Sequence, residues 1–308
     1  MTSVDQPVEL AQPRVAERRR PPALRLSGNW WRHLIGLFAV AVALFPIAYV
    51  VSAAFNADQS LGGASLIPRS VTLENFENIF SDPDPTRDVR YFSWYGNSFA
   101  IAAAAAILNV LLGALAAYAF SRFRFKGRRI GMLTLLLIQM FPQFLALVAL
   151  YLILLRTGEV FPTLGLNSRV ALVVVFLGGA MGVNAWLMKG FFDTIPSELD
   201  ESARVDGATP AQIFFGVVLP LAAPVLAVVG IITFTFLLNE FIITSALLQT
   251  VDKYTLPVGL RQYINETYAE RWGPFAAGVL LAAVPVMAIV MAFQRFFVRG
   301  LTAGAVKG

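Results

Sequence analysis

Six long windows of the chain carry no Asp, Glu, Lys or Arg: residues 34–55, 91–121, 130–155, 170–188, 207–239 and 272–294. A helix needs about 20 mostly apolar residues to cross the hydrocarbon of a bilayer, where every backbone polar group must be paired within the segment. The pattern therefore predicts six spans, near residues 33–55, 97–120, 131–155, 169–190, 221–248 and 275–298. The window 207–239 is too long for one span, and Pro220 and Pro224 predict that its helix begins there. Pro46, Pro142 and Pro285 fall inside spans and predict kinks. The first span has no small-residue cleavage site before a mature domain, so it reads as a retained anchor rather than a signal peptide. The expected fold class is an all-α integral membrane protein with six transmembrane helices.

Composition agrees: 57% of the 308 residues are hydrophobic, only 14% are charged, and mean hydropathy is +0.67. Cysteine is absent, which excludes disulfides, thiolate chemistry and Cys-based metal sites. The single histidine, His33, at the start of the first span, reads as interfacial; no Ser-His-Asp or metal-ligand pattern can be built around it. No GxxxxGK[ST] loop occurs, so the chain lacks a Walker-type ATP site of its own. The basic excess, +5, reads as topology determinants and headgroup contacts, not as a nucleic-acid surface. Under six spans, sixteen of the 24 cationic residues fall on one side, among them Arg122, Arg124, Lys126, Arg128 and Arg129 in a single acid-free loop. The positive-inside rule makes that side cytoplasmic, with both termini inside. The expected organisation is a polar, disordered tail over residues 1–30, a transmembrane domain over 31–300 and a short cytoplasmic tail over 301–308. Residues 56–96 form the largest outside loop, with Asp82, Pro83, Asp84 and Pro85 as turn punctuation.

One cytoplasmic stretch breaks the apolar pattern. Asp193, Glu198, Asp200, Glu201 and Asp206 place five acids within fourteen residues, between two apolar spans. Ser197 as N-cap with Asp200 three residues later predicts a helix over 198–206 with a capping-box-like start. Gly207 stands where a left-handed residue ends such a helix. Thr209 then caps a second, short helix with Pro210 at its first position, carrying Ile213, Phe214 and Phe215. A connector lying on the headgroups is the plainer alternative, but the inner leaflet is anionic and disfavours so acidic a segment. Docking on a protein partner fits better.

This stretch resembles the EAA loop of ATP-binding-cassette importer permeases, whose pattern is E-A-A-x-x-x-G, then nine residues, then I-x-L-P. Glu201, Ser202, Ala203 and Gly207 match its first part, and Val217, Leu219 and Pro220 its end, with Ser202 for alanine and Val217 for isoleucine. Asp206, Ala208 and Phe214 resemble the carbohydrate-uptake branch. Asn239-Glu240-Phe241, the stretch 254–260, the stretch 272–277 and the ending 300–308 are most similar to the MalG-type permease of maltose importers. The resemblance implies the type I importer permease fold and a bacterial inner-membrane location. It implies a non-catalytic subunit of a binding-protein-dependent importer for maltose, maltodextrin or a trehalose-like sugar. The implied partners are a second, MalF-type permease, two copies of an ATPase subunit that bind the ATP and Mg, an extracytoplasmic sugar-binding protein and membrane lipid. The chain itself would hold no cofactor.

By the same resemblance, Glu198, Glu201, Ser202, Ala203, Asp206, Gly207, Ala208, Phe214 and Pro220 form the ATPase-coupling segment. Val251, Asp252 and Lys253 form an outside loop that touches the binding protein, and Leu301, Thr302, Gly304 and Lys307 a tail reaching the ATPases. Glu240 is the one acid inside a predicted span. An ionised group at that depth faces a cavity or a partner, so with Asn239 it either lines the translocation path or makes a helix contact at the subunit interface. Asn109, Gln139 and Asn184 read as interhelical hydrogen-bonding groups, and the alanine run 102–106 with Gly113 as a close-packing face. A stand-alone secondary transporter is the rival reading; the chain shows neither an internal repeat nor a second intramembrane charge for ion coupling.

Overall fold

The computed structural model describes residues 30–57, 66–68, 70–81, 88–178, 180–264 and 271–303, with backbone alone at 143, 180, 181 and 295–303. The expected N-terminal tail, the turn at residues 82–85 and the last residues of the C-terminal tail, Gly304 and Lys307 among them, lie outside the described residues. Among the described residues the regular elements are helices, joined by one isolated antiparallel bridge between Asn56 and Val71.

The chain divides between Ile47 and Ala48 into two compact units. Residues 30–47, the described part of the first unit, belong to helix α1 (Trp30–Phe55), which contains Pro46. Leu37 and Phe38 on it are exposed. A helix apolar on all sides suits a lipid environment.

The second unit is organised around α3 (Tyr91–Arg122). α10 (Leu219–Leu238), α6 (Arg169–Leu177) and α7 (Ala185–Phe192) pack along it. They approach closely because α3 presents small residues: Ala102, Ala105, Ala114 and Ala117 are fully buried. Asn109 adds a polar tie, its Nδ2 donating to the carbonyl of Ala105 at 2.9 Å and across to that of Phe176 at 3.1 Å. One apolar core gathers Tyr118, Met188, Phe192, Ile213, Phe214 and Val218 around the C-terminal end of α3. A second gathers Ala54, Ile79 of α2 (Glu74–Phe80), Tyr91, Trp94, Leu260 of α12 (Leu256–Leu260) and Tyr263 around its N-terminal end.

Four helices are long and apolar enough to cross a membrane: Trp30–Phe55, Tyr91–Arg122, Pro210–Leu238 and Trp272–Gln294. The third and fourth expected spans are each broken. α4 (Arg128–Gln139) meets the segment Phe144–Val160, most of it α5 (Leu147–Val160), at 79°. The segment Arg169–Leu177 meets Gly182–Phe192 at 50°. Counting each bent pair as one span gives six. Pro142 therefore sits between two helices rather than kinking one. The second break is unmarked by proline; Gly182 leaves helical geometry at φ −87°, ψ −118°, and a Cβ there would lie 2.2 Å from Gln139. Gln139 thus packs into a glycine notch.

The fifth span also corrects the sequence reading. Its helix starts at Pro210, not near Pro220, because α9 (Pro210–Ile213) runs through a π-helical turn, Phe214–Val218, directly into α10. The Leu219 N–H reaches back five residues to Phe214 O. Such a widened turn moves the carbonyls that the Pro220 ring would otherwise strike. The helix ends at Leu238, and α11 (Ile242–Leu247) follows a break at residues 239–241. At the C-terminus α13 (Trp272–Ala303) continues through Leu301 and Thr302, so the first residues assigned to the tail extend a helix.

Candidate functional site

The acidic stretch folds as α8 (Glu198–Val205), a sharp turn, and then α9. Gly207 adopts φ +84°. Its N–H donates to Arg204 O at 3.0 Å and the Ala208 N–H to Ala203 O at 2.9 Å. These two bonds make a Schellman motif, and Ala203 and Ala208 at its two ends both pack against the core. Thr209 starts the next helix as expected: its Oγ1 accepts from the Gln212 N–H at 3.3 Å, and the Gln212 side chain accepts from the Thr209 N–H at 2.8 Å.

α8 starts at Glu198 as expected, but the expected cap is not found. Ser197 has helical φ/ψ and caps nothing. Asp200 is instead turned inward, its Oδ2 2.9 Å from Arg122 Nε at the end of α3, with the two side chains 4% and 10% exposed. Arg122 also donates to Ile195 O at 2.9 Å. Asp193 is likewise held within the chain, by Ser121 Oγ at 2.7 Å and by Lys189. Burial alone would raise the Asp193 pKa, but the hydrogen bonds from Lys189 and Ser121 and the nearby charge of Arg128 hold it below the ordinary value. Arg122 entered the sequence reading only as a topology cation. The signal for its role was an acid-free basic segment and an acid-rich one on the same side of the membrane.

Five acids thus divide into two that anchor the loop and three, Glu198, Glu201 and Asp206, that are exposed and form no ion pair among the described residues. Between them Leu199 is 41% exposed and Val205 88%. Ser202 is exposed, its Oγ donating to Leu199 O at 3.1 Å. Ala203, Ala208 and Phe214 face the core with Tyr118, so they support this surface rather than present it. Pro220, within α10, is exposed farther along the chain. The exposed face combines apolar side chains, three carboxylates and a glycine whose Cβ position is open, with nothing within 4 Å.

At the break after α10, Glu240 takes a role absent from either sequence alternative. Its Oε1 accepts from the Ile243 N–H at 2.8 Å, and its Oε2 from the Thr244 N–H at 2.9 Å and the Thr244 hydroxyl at 2.6 Å. The carboxylate closes the unpaired N-terminus of α11. Asn239 is exposed and donates to Thr235 O at 2.8 Å. Both residues line a cavity of about 700 Å³ with Thr235 and Phe241, and Asn239 also lines one of about 610 Å³ with Tyr95 and Arg261. Asn184, another expected polar tie, donates to Thr233 Oγ1 at 3.2 Å.

The turn Val251–Lys253 is fixed from below by α3. Trp94 Nε1 donates to Val251 O at 2.8 Å, and Asn97 Nδ2 to Asp252 O at 2.9 Å and Tyr254 O at 3.0 Å. Asp252 is exposed, and hydrogen bonding from Thr250 holds its carboxyl below the ordinary pKa. Among the described residues no group of three or more His, Asp or Glu is placed to hold a metal ion.

Residues 109–303 match the family described as the binding-protein-dependent transport system inner membrane component. The galactooligosaccharides transport system permease protein GanQ of Bacillus subtilis is 40% identical over 276 residues, 90% of this chain and 94% of that protein. The maltose/maltodextrin transport system permease protein MalG of Vibrio parahaemolyticus is 40% identical over 287 residues, 91% and 96% of the two chains. Its Escherichia coli counterpart is 39% identical over 284 residues, 90% and 95%. Among solved structures, a bacterial ABC transporter that imports the acidic polysaccharide alginate superposes with a TM-score of 0.71 at 22% identity, covering 87% of this chain and 95% of that one.

Proposed function

The chain belongs to the binding-protein-dependent transport system inner membrane components, and on that premise we propose that it couples an ATPase to the uptake of a neutral oligosaccharide. It is a multi-pass inner-membrane permease subunit with the type I importer fold. The sugar class rests on the maltose/maltodextrin and galactooligosaccharide permeases that it resembles over nine-tenths of its length.

The observation that carries the proposal is the exposed turn between α7 and α10. Glu198, Glu201 and Asp206 flank the exposed Leu199 and Val205 along the chain, and the Gly207 turn is anchored to the chain's own core from behind. Exposed apolar side chains interspersed with charge that forms no ion pair among the described residues suit a protein cleft better than lipid or water. On this reading Glu198, Glu201, Ser202, Asp206 and Gly207 meet a basic ATPase surface, while Ala203, Ala208 and Phe214 hold them in place. ATP and Mg belong to that partner, two copies of which serve this chain and a second, MalF-type permease. Closure of the ATPases moves the turn and, through it, the helices that line the path, a two-state change biased by ligand. Asn239 faces the path and Glu240 keeps the α10 break open beside it. Both termini are cytoplasmic, the C-terminal segment with Leu301, Thr302, Gly304 and Lys307 reaching the ATPases. The turn Val251–Lys253 meets the extracytoplasmic binding protein.

The test is recovery of the complex through a tag on this chain, followed by ATP turnover with and without sugar-loaded binding protein. The proposal expects an ATPase in the complex and turnover stimulated by maltodextrin- or galactooligosaccharide-loaded protein. Sugar uptake that proceeds without any ATPase would overturn it in favour of a secondary transporter.

A further inference from the structure

Among the described spans α3 alone is both unbroken and free of proline; α1 contains Pro46, α10 Pro224 and α13 Pro285, and the other two are bent. Its 32 residues make a rod of about 48 Å at 1.5 Å per residue. Each end is tied to one of the two surfaces assigned above. At the inner end Tyr118 reaches Pro210 O at 3.4 Å, Ser121 holds Asp193, and Arg122 meets Asp200 inside the protein. At the outer end Trp94 and Asn97 hold the carbonyls of Val251, Asp252 and Tyr254, and Ser98 Oγ accepts from the Leu256 N–H at 2.7 Å.

Of the inner ties, Arg122–Asp200 is the one that joins α3 to α8 itself. Sliding α8 along α3 would separate two charges that are almost fully removed from water, and an uncompensated buried charge is far costlier than a lost surface contact. Arg122 also clamps Ile195 O in the segment leading into α8. We infer that Arg122 is a positioning residue: through Asp200 it makes α8 and α3 move as one body, so that displacement of the cytoplasmic turn reaches the Val251–Lys253 turn along α3. This inference rests on the coupling role proposed for the turn. The alternative is that the pair only anchors the loop.

The two are separable, and separable from failure of the coupling role, by a measurement inside this chain. The native chain has no cysteine, so spin labels on Leu115→Cys in α3 and Ser202→Cys in α8 report one distance in bilayer nanodiscs. The inference expects a narrow distribution for the otherwise native chain and a broad one with Arg122→Gln. In the assembled complex, Arg122→Gln lowers the stimulation of ATP turnover by loaded binding protein about tenfold per complex, a coupling loss of ordinary allosteric size. Arg122→Lys keeps the charge but loses the fork and gives an intermediate ratio. Exchange of the charges, Arg122→Asp with Asp200→Arg, recovers most of it. A parent-like stimulation ratio in Arg122→Gln complexes overturns the inference, even if fewer complexes assemble, because the pair is then an anchor only. Lost stimulation with an unchanged narrow distance also overturns it.

Discussion

Glu201 and Glu240 stand at opposite ends of one continuous piece of chain, and their carboxylates are used in opposite ways. Glu240 gives both oxygens to the first turn of α11 and to Thr244. Glu201 is exposed, with no ion pair among the described residues. Glu240, which sequence alone places inside a span and so points to as a functional group, caps α11 as well as lining a cavity. The exposed acid lies in a loop whose internal needs are already met by Asp193 and Asp200. Charge marks a working surface only where the chain has not used it.

The contrast can be broken most sharply at Glu240. Glu240→Ala leaves two backbone donors and a hydroxyl unpaired and is expected to lower stability by about 2 kcal/mol, at the upper end for a lost helix cap. Asn239→Ala leaves thermal stability of the purified chain near the parent value and lowers uptake. Equal melting for Glu240→Ala and the parent would show that the cap is dispensable.

Gly207→Val comes next. The φ of +84° costs a branched residue about 1–2 kcal/mol, and since a Cβ meets nothing in the chain, the cost is confined to the turn. Insertion and melting of the six-span body stay close to the parent, while recovery of the ATPase and stimulated turnover fall. Parent-like assembly and turnover would reduce the turn to a connector.

Glu201→Ala is smaller, about 1 kcal/mol or less, because an exposed charge pair is screened. Its effect on ATPase recovery is expected at low salt and fades as ionic strength rises; a salt-independent loss would point to a packing role instead. Asp193 supplies the mildest contrast. Against the effect of burial, its folded pKa lies below the ordinary carboxylate value because Lys189 and Ser121 hydrogen-bond the charged form, so its stabilisation is complete above the unfolded value and disappears as pH falls through the folded one. Asp193→Asn therefore melts slightly below the parent at neutral pH and together with it in strong acid. A gap that widens on acidification would reverse the sign.

What the sequence discloses follows the same division. Gly207, Thr209, Pro210 and Gln212 act through bonds to residues within a few positions, and their geometry is legible in the chain as written. Ser197 and Asp200 were misread because Arg122, remote in sequence, takes the carboxylate that a local cap would have used. The number of spans was legible from uncharged windows. The break at residues 140–143 was marked by Pro142, read as a kink; the bend ahead of Gly182 and the start of the fifth span were not legible, since they go with the Gln139–Gly182 contact and with a π-helical turn that lets a helix run past Pro220. Glu240 was recognised as costly at its depth, but not the helix break that employs it.

The central claim, that the exposed face of the α8 turn is where an ATPase docks, is most directly tested by a single reactive side chain. Val205 is 88% exposed, whereas Ala203, two residues back, packs against the core, and no native cysteine competes. A short bifunctional crosslinker on Val205→Cys in native membranes is expected to capture a nucleotide-binding subunit, and on Ala203→Cys to capture none. Capture of no ATPase at Val205, with the variant inserted and the complex otherwise intact, would contradict the account.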